Sequence, residues 1–433
     1  MTKVLIILYN PKNSYLCATK TKETKLMDKR VVITGMGIWS CLGTTLDEVR
    51  DSLYTGKSGI ILDPARKEMG FRSGLTGQVP MPELKGELPR SQRVYMPEPA
   101  QYAYCATRDA LQQARIDADF LAANEIGILY GNDSTADAVY KSVATIHEKK
   151  DTMLCGSGAI FQSMNSTVTM NLSVIFKLKG INLTVSGACA SGSHAIGLGA
   201  LLIRNGLQDI VVCGGAQEIN AAATGSFDGI SAFSVREDAP EKASRPFDRD
   251  RDGLVPGGGA ATVILESYES AVRRGAPIIA EVMGYGFSSN GEHISNPNVD
   301  GPRRALERSI RQAGLSIDQI GYINAHATST HVGDTNEAKA IYAVFGDQRI
   351  PVTSTKSQTG HEMWMAGASE IVYSILMMKN DFIGANINFE NPDEDSAKLF
   401  VLPKRMSCHF DTFLSNSFGF GGTNSSLVIR DIR

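Results

Sequence analysis

The chain predicts an α/β fold built as two related, layered halves, and three observations carry that prediction. After residue 30, apolar runs of strand length alternate with amphipathic segments of helix length, the pattern of βαβ units on parallel sheets. Val31-Val32-Ile33-Thr34-Gly35-Met36-Gly37 is echoed by Ile279-Ala280-Glu281-Val282-Met283-Gly284-Tyr285-Gly286, each an apolar strand running into Met-Gly before a polar loop. The 433 residues are 42% hydrophobic and 21% charged, ordinary globular usage with enough length for two or three domains.

Taken in order, residues 1–28 read as an N-terminal extension. Residues 1–26 are polar and Lys-rich, Met27 is the expected natural start, and the apolar run 4–9 is too short for a signal-peptide core. Residues 29–270 form the first half and 271–433 the second. Strands are expected at 30–37, 125–130, 209–213, 260–265, 279–284, 321–324 and 351–354. Helices are expected at 46–54, 98–115, 192–205, 303–314, 334–345 and 366–379. The stretch 131–165 has little periodicity and reads as an insertion or an interface segment.

Composition narrows the class. Lys plus Arg is 43 against 46 for Asp plus Glu, a net charge of −3, so no basic excess supports nucleic-acid binding. The seven cysteines are scattered with no CxxC pair, which argues against a disulfide framework or a zinc ribbon and for a reducing, cytoplasmic location. No run of 18 or more apolar residues marks a membrane span.

Four segments concentrate chemistry. In Val185-Ser186-Gly187-Ala188-Cys189-Ala190-Ser191-Gly192-Ser193-His194, the cysteine stands at a helix N-terminus, where unpaired N–H groups and the dipole favour thiolate. The bland alternative, a packed thiol, is weakened by small residues on both sides that leave room for a substrate. His194 is expected to face elsewhere and to be structural. The second segment, Ile323 to Asp334, places His326 at a strand end, suited to acid–base or donor work; the rival there is a metal site from His326, His331 and Asp334. The third, Ser354 to Glu362, brings Lys356 near His361, where an ordinary surface lysine and a capping histidine are the alternative. The fourth, Ser415 to Asn424, has three glycines among aromatics, a backbone able to aim N–H groups into a pocket. No nucleotide motif survives: Gly419 to Asn424 lacks the last glycine of GxGxxG, and Thr55-Gly56-Lys57-Ser58 lacks the first glycine of a P-loop.

Together these four blocks, with Lys242 to Asp248 and Arg251-Asp252-Gly253, resemble the β-ketoacyl-acyl carrier protein synthases in content and order over about residues 29–433. The likeness is to the elongating Cys-His-His class. It implies a thiolase-like fold of two duplicated halves in five αβαβα layers, a homodimer, acyl carrier protein as partner and no organic cofactor, since loss of CO₂ itself generates the carbanion. It also implies roles: Cys189 as acylated nucleophile, His326 and His361 on the malonyl thioester, and Lys356 supporting the second histidine. The N–H groups of Cys189 and Phe420 would form the oxyanion hole, with Phe420 as gate. Thr328 and Thr330 would bond the phosphopantetheine arm. Asn324, Glu370, Ser415 and Asn424 match positions that surround a structural monovalent cation in some relatives. Arg72, Arg90 and Arg93 fall in the region resembling the carrier-docking surface.

Two departures from the family pattern stand out. Ala327 replaces a usual glycine after the first histidine, and Glu362-Met363-Trp364-Met365 replaces a small, Gly-containing stretch. Trp364 is therefore expected to reshape the acyl pocket, which leaves a polyene or polyketide pathway open. The competing functions are a non-catalytic chain-length partner, which would lack the nucleophile, and a degradative thiolase, which would need a second cysteine within 415–424.

Overall fold

The computed structural model describes residues 29–432, so the readings of residues 1–28, including Met27 as a start, lie outside them. Eleven strands form one hydrogen-bonded run that repeats a single plan twice. The first half contributes β1 (Val31–Trp39), β2 (Ile126–Gly131), β3 (Asn182–Val185), β4 (Ile210–Gln217) and β5 (Gly259–Ser267), ordered β1-β5-β4-β2-β3. The second contributes β6 (Ala280–Ser289), β7 (Tyr322–Asn324), β8 (Pro351–Thr353), β9 (Phe400–Val401), β10 (Thr412–Phe418) and β11 (Thr423–Asp431). Their order is β6-β11-β10-β7-β8, with β9 added at the edge. The halves join where β1 and β6 pair antiparallel, Val32 with Glu281 and Ile33 with Ala280.

The expectation of parallel sheets is corrected to mixed ones. β2, β3 and β4 are parallel, as are β7, β8 and β10, but β5 and β11 run antiparallel to both neighbours. For β10 and β11 the cause is local: the short turn after Phe418 reverses the chain and can join only antiparallel strands.

Helices complete five layers. Helix α1 (Glu98–Gln113) packs on β1 and β5, and α3 (Asp300–Ala313) on β6 and β11. Between the sheets lie α2 (Ser191–Arg204) and α5 (Ala366–Lys379), in contact with each other. Helix α4 (His331–Phe345), which packs beside α3, begins three residues before its expected start. Every residue of α5 from Ala366 to Met378 is buried, as a helix enclosed on all sides must be.

The sequence echo has a packing cause. A Cβ on Gly35 or Gly37 would strike the carbonyl oxygens of Ala110 and Ala106 in α1. On Gly284 or Gly286 it would strike those of Ser309 and Ala305 in α3. The strands do not stop at these glycines but continue to Trp39 and Ser289, because the glycines serve helix approach rather than chain reversal. The aperiodic stretch 131–165 forms a helix, Ala136–Lys149, and short turns that expose Tyr140, Met153, Leu154 and Ile160. Among the described residues no helix is long and apolar enough to cross a membrane.

Candidate active site

The chain leaves β3 and makes one tight turn, Ala188–Ala190, directly into α2. Ala188 has φ 46°, a left-handed conformation that costs a residue with a Cβ about 1–2 kcal/mol. Three hydrogen bonds hold it. The Ala188 N–H donates to Asp133 Oδ2 (3.1 Å), the Gly187 N–H to Ser191 Oγ (2.9 Å), and the Ser191 hydroxyl to the Ala188 carbonyl (2.6 Å). Cys189 thereby heads the central helix, buried. Its thiol is not the stabilised thiolate that the helix position predicts. Burial pushes it up to about 12, against the opposing pull of the Lys356 cation and the N–H groups of Cys189 and Phe420. Desolvation outweighs those favourable charges at this buried position.

His326 follows β7 by two residues. The N–H groups of His326 and Ala327 donate to the two oxygens of Glu337 on α4, at 2.9 and 2.7 Å, and Asn416 Nδ2 donates to the same carboxylate at 3.0 Å. Arg251 braces the loop from below, donating to the carbonyls of Thr330 (3.1 Å) and His331 (2.9 Å). His361 enters from the end of β8 through the single turn Lys356–Thr359; its N–H donates to the Val255 carbonyl at 2.7 Å. The two imidazoles stand nearly perpendicular, centroids 5.3 Å apart, with the Phe418 ring 5.7 Å from His326. Burial, then the Lys356 charge, holds both well below the ordinary histidine value, so both are neutral at neutral pH. Nδ1 of His326 and both ring nitrogens of His361 are buried without a hydrogen-bond partner in the protein.

Lys356 is fully buried and paired with Glu370, so it is no surface lysine. Burial pushes the Glu370 carboxyl up, and the Lys356 ammonium opposes it. Phe420 lies in the turn Phe420–Gly422 between β10 and β11, where Gly421 and Gly422 take φ 78° and 76°. Its ring is 42% exposed and stacks on Phe227 at 6.0 Å. A cavity of about 460 Å³ reaches from solvent to Cys189, His326 and His361, passing Thr328, Thr330 and Phe420.

The other sequence candidates divide. Asn324 and Ser415 are register partners, and Asn324 Oδ1 and Glu370 Oε2 are buried oxygens without a partner, the chemistry a monovalent cation takes. Asn424 sits elsewhere, three residues along the strand pair, donating to Ser288, Asn290 and the Gly422 carbonyl. The His326–His331–Asp334 metal reading finds no support: Asp334 accepts from the Phe247 N–H at 2.8 Å and faces Arg251 at 3.7 Å. Among the described residues no three His, Cys, Asp or Glu converge to hold a metal ion. Trp364 is 8% exposed and packs in one cluster with Cys189, Phe233, Leu254 and Met363, its Nε1 donating to Ser134 Oγ at 3.3 Å. Arg90 and Arg93 share one helical turn, whereas Arg72 lies on a separate segment tied to Asp228. Sequence reading missed Glu337, Asp133 and Ser191. Asp334 and Glu337, three apart on the helix after the histidine loop, mark one acidic face that could have been noticed.

A buried thiol facing two neutral imidazoles, on a duplicated five-layered scaffold, defines a thiolase-like α/β protein. Residues 28–271 match the β-ketoacyl synthase N-terminal domain model and residues 279–390 the C-terminal one. The chain is 39% identical to 3-oxoacyl-[acyl-carrier-protein] synthase 1 of Haemophilus influenzae, over 93% of this chain and 99% of that protein. A β-ketoacyl synthase from Burkholderia phymatum superposes with TM-score 0.90 at 36% identity, covering 94% of this chain and all of the other. A type II PKS ketosynthase, solved with its acyl-carrier protein and bound to a hexaketide, superposes with TM-score 0.85 at 30% identity, with 94% and 100% coverage. The chain belongs to the β-ketoacyl synthase family.

Proposed function

We infer that the protein catalyses decarboxylative Claisen condensation: an acyl group carried on Cys189 joins malonyl-acyl carrier protein, giving β-ketoacyl-acyl carrier protein and CO₂. The observation that carries this reading is the set of partnerless imidazole nitrogens on His326 and His361 at the floor of the cavity that ends on Cys189. Buried polar atoms left unpaired are costly, and a thioester oxygen seated between the rings removes that cost.

In the first half-reaction the Cys189 sulfur attacks the acyl thioester as its proton passes to a neutral imidazole. The N–H groups of Cys189 and Phe420 hold the oxyanion, and the departing pantetheine thiolate takes the proton. In the second, the bond from malonyl C2 to its carboxylate breaks, CO₂ leaves, and ring N–H groups of His326 and His361 hold the enolate oxygen. The C2 carbon then attacks the acyl-Cys189 carbonyl. The Cys189 thiolate leaves and is reprotonated from solvent, which restores the resting thiol. Lys356 supplies positive charge beside both rings, and its pairing with Glu370 keeps it in place. Thr328 and Thr330, whose hydroxyls lie 3.1 Å apart on the cavity wall, would bond the phosphopantetheine arm.

The non-catalytic chain-length reading is disfavoured because the thiol and both imidazoles line one cavity, with the buried Lys356 charge acting on all three. A homodimer is supported by the edge position of strand β3, on which Leu183 is exposed, and by the exposed Val174. A cytoplasmic location is supported by six described cysteines that are all free thiols. Intact mass spectrometry after incubation with acyl-acyl carrier protein tests the function: an acyl adduct that disappears in Cys189→Ala, with CO₂ release from malonyl-acyl carrier protein, is expected. No adduct and no CO₂ would overturn it.

A further inference from the structure

His194 lies five residues after Cys189 on α2 and is bonded, through Thr423, to the end of the turn that carries the Phe420 N–H. One ring nitrogen, Nδ1, bonds the Tyr285 hydroxyl at 2.6 Å, and Nε2 bonds the Thr423 hydroxyl at 2.8 Å. Thr423 is the first residue after the Phe420–Gly422 turn, and it closes that turn: its carbonyl accepts the Gly419 N–H at 2.8 Å. The turn rests directly on the nucleophile elbow, since a Cβ on Gly419 would lie 2.9 Å from the Gly187 carbonyl and 3.0 Å from Ala188 Cβ. At the far end, Tyr285 is held on β6, its ring against Gly197 of α2. A neutral imidazole has one donor and one acceptor, so between two hydroxyls it is fully satisfied only in a fixed orientation.

We propose that His194 is a positioning residue: with Tyr285 it clamps Thr423 and so holds the Phe420 N–H against the Cys189 sulfur. The inference rests on the reading of Cys189 as the acylated nucleophile. Its consequence is selective. Acyl transfer to Cys189 uses the two backbone donors, whereas decarboxylation uses the histidine pair, which His194 does not touch. Burial holds His194 down at about 4, so it stays neutral through the working pH range and adds no titration to the rate.

The test is Thr423→Val, which removes one hydroxyl at constant shape, with Thr423→Ser as rescue and Tyr285→Phe as a second break of the clamp. Loading of Cys189 from acyl-acyl carrier protein is followed by rapid-quench mass spectrometry, and CO₂ release from malonyl-acyl carrier protein is followed separately. Loading at saturating donor should fall on the order of tenfold in Thr423→Val, a fraction of what losing a whole oxyanion donor costs. Its KM and the CO₂ release should stay within twofold, its pH profile should be unchanged, and Thr423→Ser should recover most of the loading rate. Equal losses in loading and CO₂ release would mark a general structural role, and unchanged loading in both Thr423→Val and Tyr285→Phe would remove the clamp; either overturns the proposal. Failure of the unsubstituted enzyme to load or to release CO₂ would instead defeat the functional reading.

Discussion

Glu362→Gln should make the protein more stable at pH 8 and leave it nearly unchanged at pH 5. Glu362 is enclosed beside His361, with Ser369 Oγ at 2.5 Å and the Tyr373 hydroxyl at 2.8 Å. Burial pushes its carboxyl up from 4.5 to about 7, against the help of those two hydroxyls and of Lys356. The geometry agrees with a protonated acid. Ser369 has one hydrogen, and the Ala366 carbonyl is within reach of it at 3.0 Å, which frees Ser369 Oγ to accept the carboxyl proton. Glutamine reproduces that pattern: its N–H₂ donates to Ser369 and its oxygen accepts from Tyr373. Because the folded-state value is raised, the folded protein binds more protons than the unfolded one between the two values. The associated stability is present below about 4.5 and is lost as pH rises through about 7. The difference corresponds to roughly 3 kcal/mol at about 1.4 kcal/mol per tenfold in proton affinity. Denaturant unfolding of both proteins at pH 5 and pH 8 reads it directly. Asp334 and Glu337, also raised by burial, titrate in both proteins and cancel in the comparison, whereas Glu370, which the Glu362 charge helps to raise, adds to the difference in the same direction. A stability difference that is the same at both pH values would refute the assignment of a proton to Glu362.

Cys189→Ala should abolish condensation and keep measurable CO₂ release from malonyl-acyl carrier protein, whereas His326→Ala or His361→Ala should lower that release by about 10²–10³. The double variant should fall less than multiplicatively if the pair acts as a unit. CO₂ release should show no loss from imidazole protonation as pH drops from 7.5 to 6, since both rings are held well below the ordinary value; a midpoint near 6.5 in the pH–rate profile would contradict that. Trp364→Gly should broaden the acyl chains loaded on Cys189, at a stability cost of about 3–5 kcal/mol for the emptied volume; an unchanged loading profile would make Trp364 ordinary packing. Charge reversal at Arg72, Arg90 and Arg93 together should raise KM for carrier protein, more at low salt, and spare a pantetheine thioester substrate. Equal losses with both substrates would remove those arginines from the docking surface.

Much of this protein is determined by local sequence. The glycines at 35, 37, 284 and 286 announce the duplicated plan, because close helix–strand approach admits no Cβ. Helix periodicity places α1, α2 and α3 within three residues, since their apolar faces are long enough to impose a 3.6-residue repeat, while α5 is legible as a mostly apolar run of helix length. The small-residue bracket around Cys189 and the strand ends before His326 and His361 are legible for the same reason: each is a short-range pattern. The antiparallel course of β5, the pairing of Lys356 with Glu370 and the seat of Glu337 under the histidine loop needed the assembled fold. Each joins residues that no sequence spacing relates, and each is chosen by which sheet edge or helix face remains to be covered. The ionisation states belong there too. A helix N-terminus read from sequence predicts a thiolate at Cys189, but only tertiary burial supplies the desolvation that turns it into a thiol and leaves both histidines neutral.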